Sequence, residues 1–317
     1  MKTVILDAST LGNDIDLSVF NEFGKTEIFQ KTEPGEVESR ISDADFVIIN
    51  KIKLNEGNLK NAHKLKLICI AATGFDNVDI SYCKEKGIGV SNVIGYSTDS
   101  VAQLTVLMAL SLITHLPQYN RYVESGEYTK SGIQNRLIPV YHSISALTWG
   151  IVGYGNIGKK VGEIAKALGC NVIVNKRNSD GIENFADIDT LCATSDIISV
   201  HTPLNGDSKN LINRERIKMM KKSAVFINVA RGAVVDENAL CEAVLNKEIG
   251  GIGIDVYSTE PFPLNSPYYK VSNLDNVCLT PHMAWGSYEA RCTCIKEMML
   301  NIKAFLNSEI RNRVDLL

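Results

Sequence analysis

Short apolar runs alternate with stretches of helical periodicity along almost the whole chain. Such runs predict parallel strands, because a strand that is buried on both faces is apolar throughout. The first series holds "TVILD", "DFVIIN", "LKLICI" and "GIGVSN", at 3–7, 45–50, 65–70 and 87–92. The second holds "TWGIVG", "NVIVN", "DIISVH", "AVFINV", "GIGIDV" and "NVCLTP", at 148–153, 171–175, 196–201, 224–229, 250–255 and 276–281. The alternation predicts an α/β fold with parallel sheets.

A long helical stretch at 97–116 separates the two series of strands. We expect Ser97 or Thr98 to cap its start and Pro117 to mark its end. The polar segment at 118–147 is expected to be irregular, and a final helix is expected at 287–307. This order predicts one α/β domain at the N-terminus and one dinucleotide-binding domain in the middle. The final helix is expected to return to the first domain.

A glycine motif opens the second series. Gly153, Gly155 and Gly158 have G-x-G-x-x-G spacing, after an apolar strand and at the start of an amphipathic helix. In this context the first glycine allows a tight turn, the second admits a pyrophosphate, and the third lets helix and strand pack closely. The motif therefore predicts a dinucleotide site, which also includes the intervening Tyr154, Asn156 and Ile157.

The end of the second strand in this series departs from the usual pattern. An acidic residue that binds the ribose is expected about 20 residues after the glycines, but the chain has Lys176 followed by Arg177. These cations attract a 2′-phosphate and favour NADP over NAD. The alternative is that both are solvated loop residues and that Asp180 turns back to the ribose.

Ionisable residues follow several strands of the second series, where ligands bind in open parallel sheets. His201 is interpreted as part of the wall of the cofactor site rather than as an acid. Asp255 is a candidate acceptor for the carboxamide of nicotinamide, or else a loop cap. The residues that follow these strands are His201, Thr202, Pro203, Arg231, Asp255, Glu260 and His282.

Three of these residues form the predicted catalytic set. His282 can exchange the proton that accompanies hydride transfer. Glu260 is a candidate partner, since a carboxylate orients an imidazole and stabilises its charged form. Arg231 offers a planar guanidinium suited to a substrate carboxylate, although a salt bridge to Asp236 would also explain it.

The first domain is expected to supply the other wall of the substrate cleft. Ala72, Thr73 and Gly74 follow a buried strand, and their N–H groups could form a small anion-binding turn. Lys51 follows another strand and could add positive charge. Ordinary turn chemistry explains these residues equally well.

Composition sets limits on the function. A chain of 317 residues suits two domains, and its formal charge of −3 argues against nucleic acid or an acidic membrane as partner. The apolar runs are too short for a secretory signal or a bilayer span. The eight cysteines have no C-x-x-C spacing, so we expect reduced thiols in a cytoplasmic protein and no metal site.

Taken together, the motifs resemble the D-isomer-specific 2-hydroxyacid dehydrogenase family over essentially the whole chain. They are "ATGFDNVD", "GIVGYGNIGKKVGEIAKALG", "HTPL", "FINVARGAVVDENAL", "GIDVYSTEP" and "TPHMAWGSYEAR", in family order. "NKIKL", "NVIGYSTDSVAQLT" and "PHMAWGSYEAR" are most similar to the glycerate dehydrogenase/hydroxypyruvate reductase branch.

The resemblance implies two Rossmann-like, doubly wound parallel-sheet domains. The catalytic domain would be discontinuous, at 1–98 and 284–317, and the dinucleotide-binding domain would occupy 99–283. The resemblance also implies a homodimer that acts on a small 2-oxo or D-2-hydroxy acid with NAD(P).

The family's site residues carry over position by position. Arg231 would bind the 2-oxo acid, His282 would be the acid/base and Glu260 its partner. Trp285 would line the substrate pocket. The further positions expected near the cofactor are Thr98, Ser208, Ala230 and Asp255.

Two other functions remain open at this point. One is an NAD(H)-sensing corepressor without catalysis, which would need the glycines but not the complete set of Arg231, Glu260 and His282. The other is a formate- or phosphite-type dehydrogenase, in which no carbonyl oxygen has to be protonated.

Overall fold

The computed structural model of the chain describes residues 1–177, 181 and 184–317. The described chain divides into two compact units. Unit 1 comprises Met1–Ser97 and Gly286–Leu317, and unit 2 comprises Thr98–Trp285. The divisions therefore fall after 97 and 285, where the sequence predicted 98 and 283.

Each unit contains a parallel sheet. In unit 1 the strands are β1 (Lys2–Ile5), β2 (Lys25–Ile28), β3 (Phe46–Ile49), β4 (Leu67–Ile70) and β5 (Gly89–Ser91), in the order β2-β1-β3-β4-β5. In unit 2 they are β6 (Thr148–Val152), β7 (Asn171–Asn175), β8 (Ile197–Val200), β9 (Val225–Asn228), β10 (Gly251–Ile254) and β11 (Val277–Leu279). Their order is β11-β10-β9-β8-β6-β7, with β6 and β8 adjacent at the point where the order reverses.

The helices connect these strands. They are α1 (Val37–Ile41), α2 (Glu56–Leu59), α3 (Ile80–Lys86), α4 (Thr98–Ile113), α5 (Leu116–Glu124), α6 (Glu127–Ser131), α7 (Asn156–Ala167), α8 (Ile188–Thr194), α9 (Arg214–Met219), α10 (Glu237–Leu245), α11 (Pro267–Val271) and α12 (Tyr288–Leu306). Short 3-10 segments lie at Ala8–Leu11, Ser18–Phe23, Pro34–Glu36, Ile144–Ala146, Gly232–Val234 and Val314–Leu316.

The hydrophobic core of unit 1 is built around its parallel sheet. β3 and β4 are buried at every position, as expected of central strands in a parallel sheet. The last residues of the chain complete this unit: the buried carboxylate of Asp315 accepts a hydrogen bond from Val90 N at 2.8 Å. Arg313 binds both oxygens of the same carboxylate, at 2.7 and 2.6 Å. The C-terminal segment is thus fixed to the edge strand β5.

Unit 2 has a hydrophobic core on each face of its sheet. On one face α4 packs with α7 against the strands around Trp149, which is fully buried. On the other face α8, α9, α10 and α11 cover residues such as Phe226, and Tyr268 of α11 is buried in this core. Helices on both faces leave only the ends of the strands accessible, so the loops after the strands are where chemistry can take place.

Three predictions about local structure were wrong. The long helix ends at Ile113, and the chain turns at His115, whose φ is +53°. Pro117 lies in the first turn of α5, where the missing N–H has no helical partner to lose. The segment expected to be irregular contains α5 and α6, and β2 was missed because this edge strand is polar and partly exposed.

Within the described residues, no single helix is long and apolar enough to cross a membrane. α4 and α5 satisfy such a test only as a pair, and they are bent by 62° relative to each other. All eight cysteines are unpaired, and Cys292 alone among them is exposed.

Candidate active site

Four neighbouring strands of unit 2 end at one edge with polar residues. His201 follows β8, Arg231 follows β9, Asp255 follows β10 and His282 follows β11. Since the strands are parallel, their carboxyl ends meet at the same edge. The sheet therefore brings together residues that are distant in the sequence.

His282 and Glu260 form a close pair. The Nδ1 atom of His282 lies 2.6 Å from Oε2 of Glu260. The second oxygen of Glu260 accepts a hydrogen bond from Tyr257 N at 2.9 Å. Both carboxylate oxygens thus have defined partners, which fixes the orientation of the imidazole. Both side chains are less than one-third exposed.

The backbone at His282 is in the left-handed region, with φ +52°. This conformation is unfavourable for a residue with a Cβ, so the surroundings must hold it. Asp255 does so: its carboxylate accepts hydrogen bonds from Thr280 Oγ1 at 2.6 Å, Met283 N at 2.8 Å and Ala284 N at 3.0 Å. Trp285 Nε1 adds a bond to the carbonyl of His282 at 3.0 Å.

Through these bonds Asp255 braces the histidine loop, one of the two roles that the sequence left open for it. The residue is almost completely buried. Burial raises the pKa of the Asp255 carboxyl, while the bonds from Thr280, Ala284 and Met283 and the charge of His282 oppose the rise. Thr280 had no place among the predicted site residues, because a threonine at the end of a strand gives no distinct signal.

Arg231 lies in a loop that is fixed by a buried asparagine. Asn228 donates from Nδ2 to Arg231 O at 2.9 Å and accepts from Ala230 N at 3.1 Å. Arg231 Nη1 donates to Ala230 O at 2.8 Å. Asp236, the other partner considered for Arg231, caps α10 by accepting from Ala239 N at 2.9 Å. Asn228 was not among the predicted site residues, since it resembles any polar residue at the end of a strand.

The glycine motif has the geometry that a dinucleotide needs. Gly153 has φ +91°, and a Cβ there would lie 2.7 Å from His201 C and Thr202 N. At Gly158 a Cβ would lie 2.1 Å from the carbonyl oxygen of Gly153, so only glycine fits. At Gly155 it would meet no described atom within 4 Å, so the start of α7 is open.

The N-terminus of α7 can accept an anion. The cap residue Gly155 has no side chain to satisfy the first N–H groups, and these carry the positive end of the helix dipole. Asn156 and Ile157 begin the helix, while the ring of Tyr154 lies about 3.3 Å from where a Cβ would be at Gly162. These features fit the pyrophosphate of a nicotinamide dinucleotide.

The two cations after β7 differ in their surroundings. Lys176 is exposed, and Arg177 donates to Asp207 Oδ2 at 2.6 Å. Both members of that ion pair are largely exposed, so it contributes little stability. The alternative ribose partner, Asp180, lies outside the described residues.

His201 belongs to a buried network. Ser199 Oγ accepts from Trp149 Nε1 at 2.9 Å and lies 2.9 Å from His201 Nε2. His201 Nδ1 is buried without a hydrogen-bond partner among the described residues. Burial lowers the pKa of His201 to about 3, so the ring is neutral at physiological pH and is no general acid.

The remaining cofactor candidates of unit 2 lie in loops or at helix starts. Ser208 Oγ donates to Pro203 O at 2.6 Å and accepts from Asn205 N at 2.7 Å, which closes the loop after β8. Thr202 lies in the same loop, against Gly153. Thr98 is the first residue of α4. The hydroxyl of Ser208 therefore shapes the loop around the proposed cofactor site.

The substrate candidates of unit 1 lie in loops that side chains of the same unit hold. Asp7 accepts from Lys51 N at 2.6 Å, Asn50 N at 3.0 Å and Ile52 N at 3.2 Å. Asp7 was also absent from the predicted site residues, because an aspartate at the end of a strand gives no distinct signal.

A second loop of unit 1 is held in the same way. Thr73 Oγ1 donates to Val93 O at 2.7 Å, and Asn92 Nδ2 donates to Thr73 O at 2.7 Å. Gly74 follows in this loop and is half-buried. Among the residues that the structure describes, no three His, Cys, Asp or Glu side chains form a cluster that could hold a metal ion.

The fold and the site define a class of protein: a doubly wound α/β protein with a dinucleotide site and a His–Glu pair. A sequence model of the D-isomer specific 2-hydroxyacid dehydrogenase, NAD binding domain, matches residues 106–284. The chain belongs to this family and is an oxidoreductase that uses a nicotinamide cofactor.

Similar proteins cover the whole chain. It is 35% identical over 316 residues to the glycerate dehydrogenase of Methylorubrum extorquens, with 99% of each chain covered. It is 30% identical to the hydroxypyruvate reductase of Blautia hydrogenotrophica, over 99% of this chain and 100% of the relative. A solved acyclic imino acid reductase in complex with NADPH and D-Arg has a TM-score of 0.84 at 30% identity, over 99% of this chain and 100% of that one.

Proposed function

We propose that this enzyme reduces a small 2-oxo acid of the hydroxypyruvate or glyoxylate type to the D-2-hydroxy acid, with His282 as the acid/base. The observation that carries the proposal is the 2.6 Å contact between His282 Nδ1 and Glu260. The relatives named glycerate dehydrogenase and hydroxypyruvate reductase support the choice of substrate.

Each catalytic group has one task in the proposed reaction. When bound, the reduced nicotinamide supplies a hydride to the carbonyl carbon of the substrate. His282 holds Glu260 through Nδ1 and gives a proton from its other ring nitrogen, Nε2, to the carbonyl oxygen. Arg231 binds the substrate carboxylate and stabilises negative charge on that oxygen. Glu260 stabilises the imidazolium before the proton leaves.

The remaining substrate residues are proposed from their place in the chain. In unit 1, Lys51 and the N–H groups of Thr73 and Gly74 would bind the carboxylate. Support comes from the hydrogen bonds of Asp7 and Asn92, which fix both loops in one conformation. In unit 2, Trp285 would limit the size of the substrate side chain. Residue size at these positions, rather than the catalytic set, would then select among 2-oxo acids.

A kinetic panel tests the proposed reaction. Hydroxypyruvate, glyoxylate and bulkier 2-oxo acids are each offered with NADH and with NADPH, and cofactor oxidation is followed. We expect the highest kcat/KM with hydroxypyruvate or glyoxylate. Absence of turnover with every 2-oxo acid would favour a nucleotide-sensing protein, and formate oxidation in its place would favour a formate-type dehydrogenase.

The proposal includes a preference for NADP over NAD. Lys176 is exposed directly after β7, where an acidic residue usually binds the ribose, and Arg177 forms a weak, exposed pair with Asp207. A 2′-phosphate can replace that carboxylate as the partner of Arg177.

A charge reversal tests the cofactor preference. In Lys176→Asp we expect the ratio of kcat/KM for NADPH to that for NADH to fall about tenfold, since a charge-assisted hydrogen bond is lost. Lys218→Asp, on the exposed part of α9, is the control and should leave the ratio unchanged. Equal losses with both cofactors in Lys176→Asp would refute the preference.

A homodimer is also proposed. From α5 to the start of β6, unit 2 carries a series of exposed large apolar side chains, and a concentration of exposed apolar side chains is typical of an interface. These side chains are Leu116, Val123, Tyr128, Ile133, Leu137, Ile138, Val140 and Tyr141. A second copy of the chain is the proposed partner.

Sedimentation velocity tests this interface. We expect the wild type to be a dimer, and Leu137→Glu to be a monomer. Leu264→Glu is the matched control, since Leu264 is 78% exposed elsewhere in unit 2. A wild type that sediments as a monomer at all concentrations would contradict the proposal.

A further inference from the structure

The loops that carry Arg231 and Glu260 touch each other at Gly232. A Cβ at Gly232 would lie 2.1 Å from Ser258 N and 2.1 Å from Tyr257 C. Real Cβ atoms do not approach other atoms so closely, so only the hydrogen of glycine fits. The chain just after Arg231 therefore packs backbone to backbone against the chain just before Glu260.

Glu237 joins the same two segments by a hydrogen bond. It is the first residue of α10, and its Oε1 accepts from Ser258 N at 2.8 Å. The preceding amide, Tyr257 N, donates to Glu260 Oε1 at 2.9 Å. Two successive amides of one loop are thus held by two carboxylates. One carboxylate belongs to the loop itself, and the other comes from the helix after Arg231.

A cavity of about 220 Å³ lies beside the Glu260 loop, and its lining includes Glu237, Tyr257, Thr259, Phe262 and Ser266. The ring of Tyr257 packs against Phe262 and Tyr268, whereas Ser258 and Thr259 are exposed. The hydrogen bond from Ser258 N to Glu237 therefore holds the exposed part of the loop. Burial raises the pKa of the Glu237 carboxyl, the charge of Glu260 adds to the rise, and hydrogen bonds from Ser258 oppose it.

We propose that Glu237 is a positioning residue that holds the Glu260 loop in register with the Arg231 loop and so places Glu260 against His282. This inference rests on the proposed function. The cap of α10 is a different residue, Asp236, whose carboxylate accepts from Ala239 N. The carboxylate of Glu237 thus binds the neighbouring loop, whereas that of Asp236 caps the helix.

Three variants separate positioning from a purely structural role. Glu237→Gln keeps an acceptor oxygen for Ser258 N, whereas Glu237→Ala removes it. We expect kcat to fall roughly tenfold in the alanine variant, on the scale of one lost hydrogen bond to a charged group, and to recover largely in the glutamine variant. The control is Glu242→Ala, since Glu242 lies on the same helix as Glu237. This variant removes an exposed ion pair with Arg214 and should leave kcat unchanged.

A helix-dipole role predicts a different pattern. Glu237 would then stabilise the start of α10 by its charge alone. Both Glu237 variants would lower Tm equally and leave kcat at the wild-type value, and this outcome would overturn the inference. Hydrogen–deuterium exchange of the 257–260 segment gives a readout besides activity, with faster exchange expected in Glu237→Ala only.

A double variant tests whether Glu237 acts through Glu260. If it does, Glu237→Ala adds little to the loss of kcat in Glu260→Gln, because the two effects are not additive. Full additivity would overturn the inference. Different results would overturn the proposed function itself: a wild type that turns over no 2-oxo acid, or variants of His282 that keep full activity.

Discussion

His282 Nδ1 lies 2.6 Å from Glu260 Oε2, although 22 positions separate the two residues. One follows β11 and the other lies in the loop after β10, and these strands are neighbours in the sheet. The contact depends on a left-handed backbone at His282 and on the bonds of Asp255 that hold it.

Replacement of the histidine should remove proton transfer while leaving the fold intact. In His282→Asn we expect kcat to fall about 10²–10⁴-fold, since asparagine tolerates positive φ but cannot act as an acid at neutral pH. Binding of NADH or NADPH, followed by fluorescence, should change little. His115→Asn is the matched control, because His115 also has positive φ, at +53°. A loss of kcat below threefold in His282→Asn would exclude His282 as the acid.

The carboxylate of Glu260 should matter more for turnover than for stability. In Glu260→Gln the amide oxygen can still accept from Tyr257 N, but an NH₂ group then faces the imidazole. We expect kcat/KM to fall roughly tenfold or more, since the stabilisation of the imidazolium is lost. Tm should change by only a few degrees. Glu248→Gln, at an exposed position of unit 2, is the control for the loss of one negative charge. Unchanged kcat/KM would count against the pair.

Asp255 should affect both stability and turnover. In Asp255→Asn the new NH₂ group has to face one of three donors, Thr280 Oγ1, Met283 N or Ala284 N. We expect a loss of about 1–3 kcal/mol in the free energy of unfolding, measured with urea, because a buried donor loses its acceptor. We also expect a lower kcat, since His282 is no longer held at positive φ. Wild-type kcat together with reduced stability would show that the loop tolerates the change.

Asp315 should stabilise unit 1 in a pH-dependent manner. Burial raises the pKa of its carboxyl, but the bonds from Arg313 and from Val90 N outweigh this, so the pKa lies below the ordinary 3.8. The folded state therefore gains stability from the ionised carboxylate above the unfolded pKa. This gain is lost as pH falls from about 4 through the lowered pKa of the folded state.

The comparison of wild type with Asp315→Asn measures this effect. We expect a difference of about 1.5–3 kcal/mol at neutral pH, which shrinks as the pH falls below about 4. Asp43→Asn is the control, because it removes an exposed pair with Lys2 and should cost below about 1 kcal/mol. A difference between wild type and Asp315→Asn that is constant over the whole pH range would show that charge is not involved.

Several features of the site could not be read from the sequence. Asn228, Thr280 and Asp7 hold the loops that carry candidate residues, yet each is an ordinary polar residue after or within a strand. Their role depends on which backbone amide lies within hydrogen-bond distance, and this follows from the turn that each loop makes. For the same reason, the sequence could not decide whether Asp255 binds the cofactor or braces a loop.

The local structure between the two sheets was also misread. α5 and α6 span only nine and five residues, in a polar stretch interrupted by Pro117 and Gly126. Helices of this length contain too few turns for the spacing of apolar residues to distinguish them from a loop. β2 was missed because an edge strand with polar side chains does not differ in pattern from a loop.

The sequence by itself determined the central strands, the glycine turn and the residues that follow each strand. Burial on both faces demands continuous apolar runs, and close approach of backbone to backbone demands glycine at Gly153 and Gly158. Only the tertiary structure decided that Glu260 meets His282, that Asp255 braces their loop and that Arg177 pairs with Asp207. Those contacts depend on strand order and on loop torsion angles. A change of about one ångström in the contact distances would break them, and the pattern of residues in the sequence does not specify distances of that size.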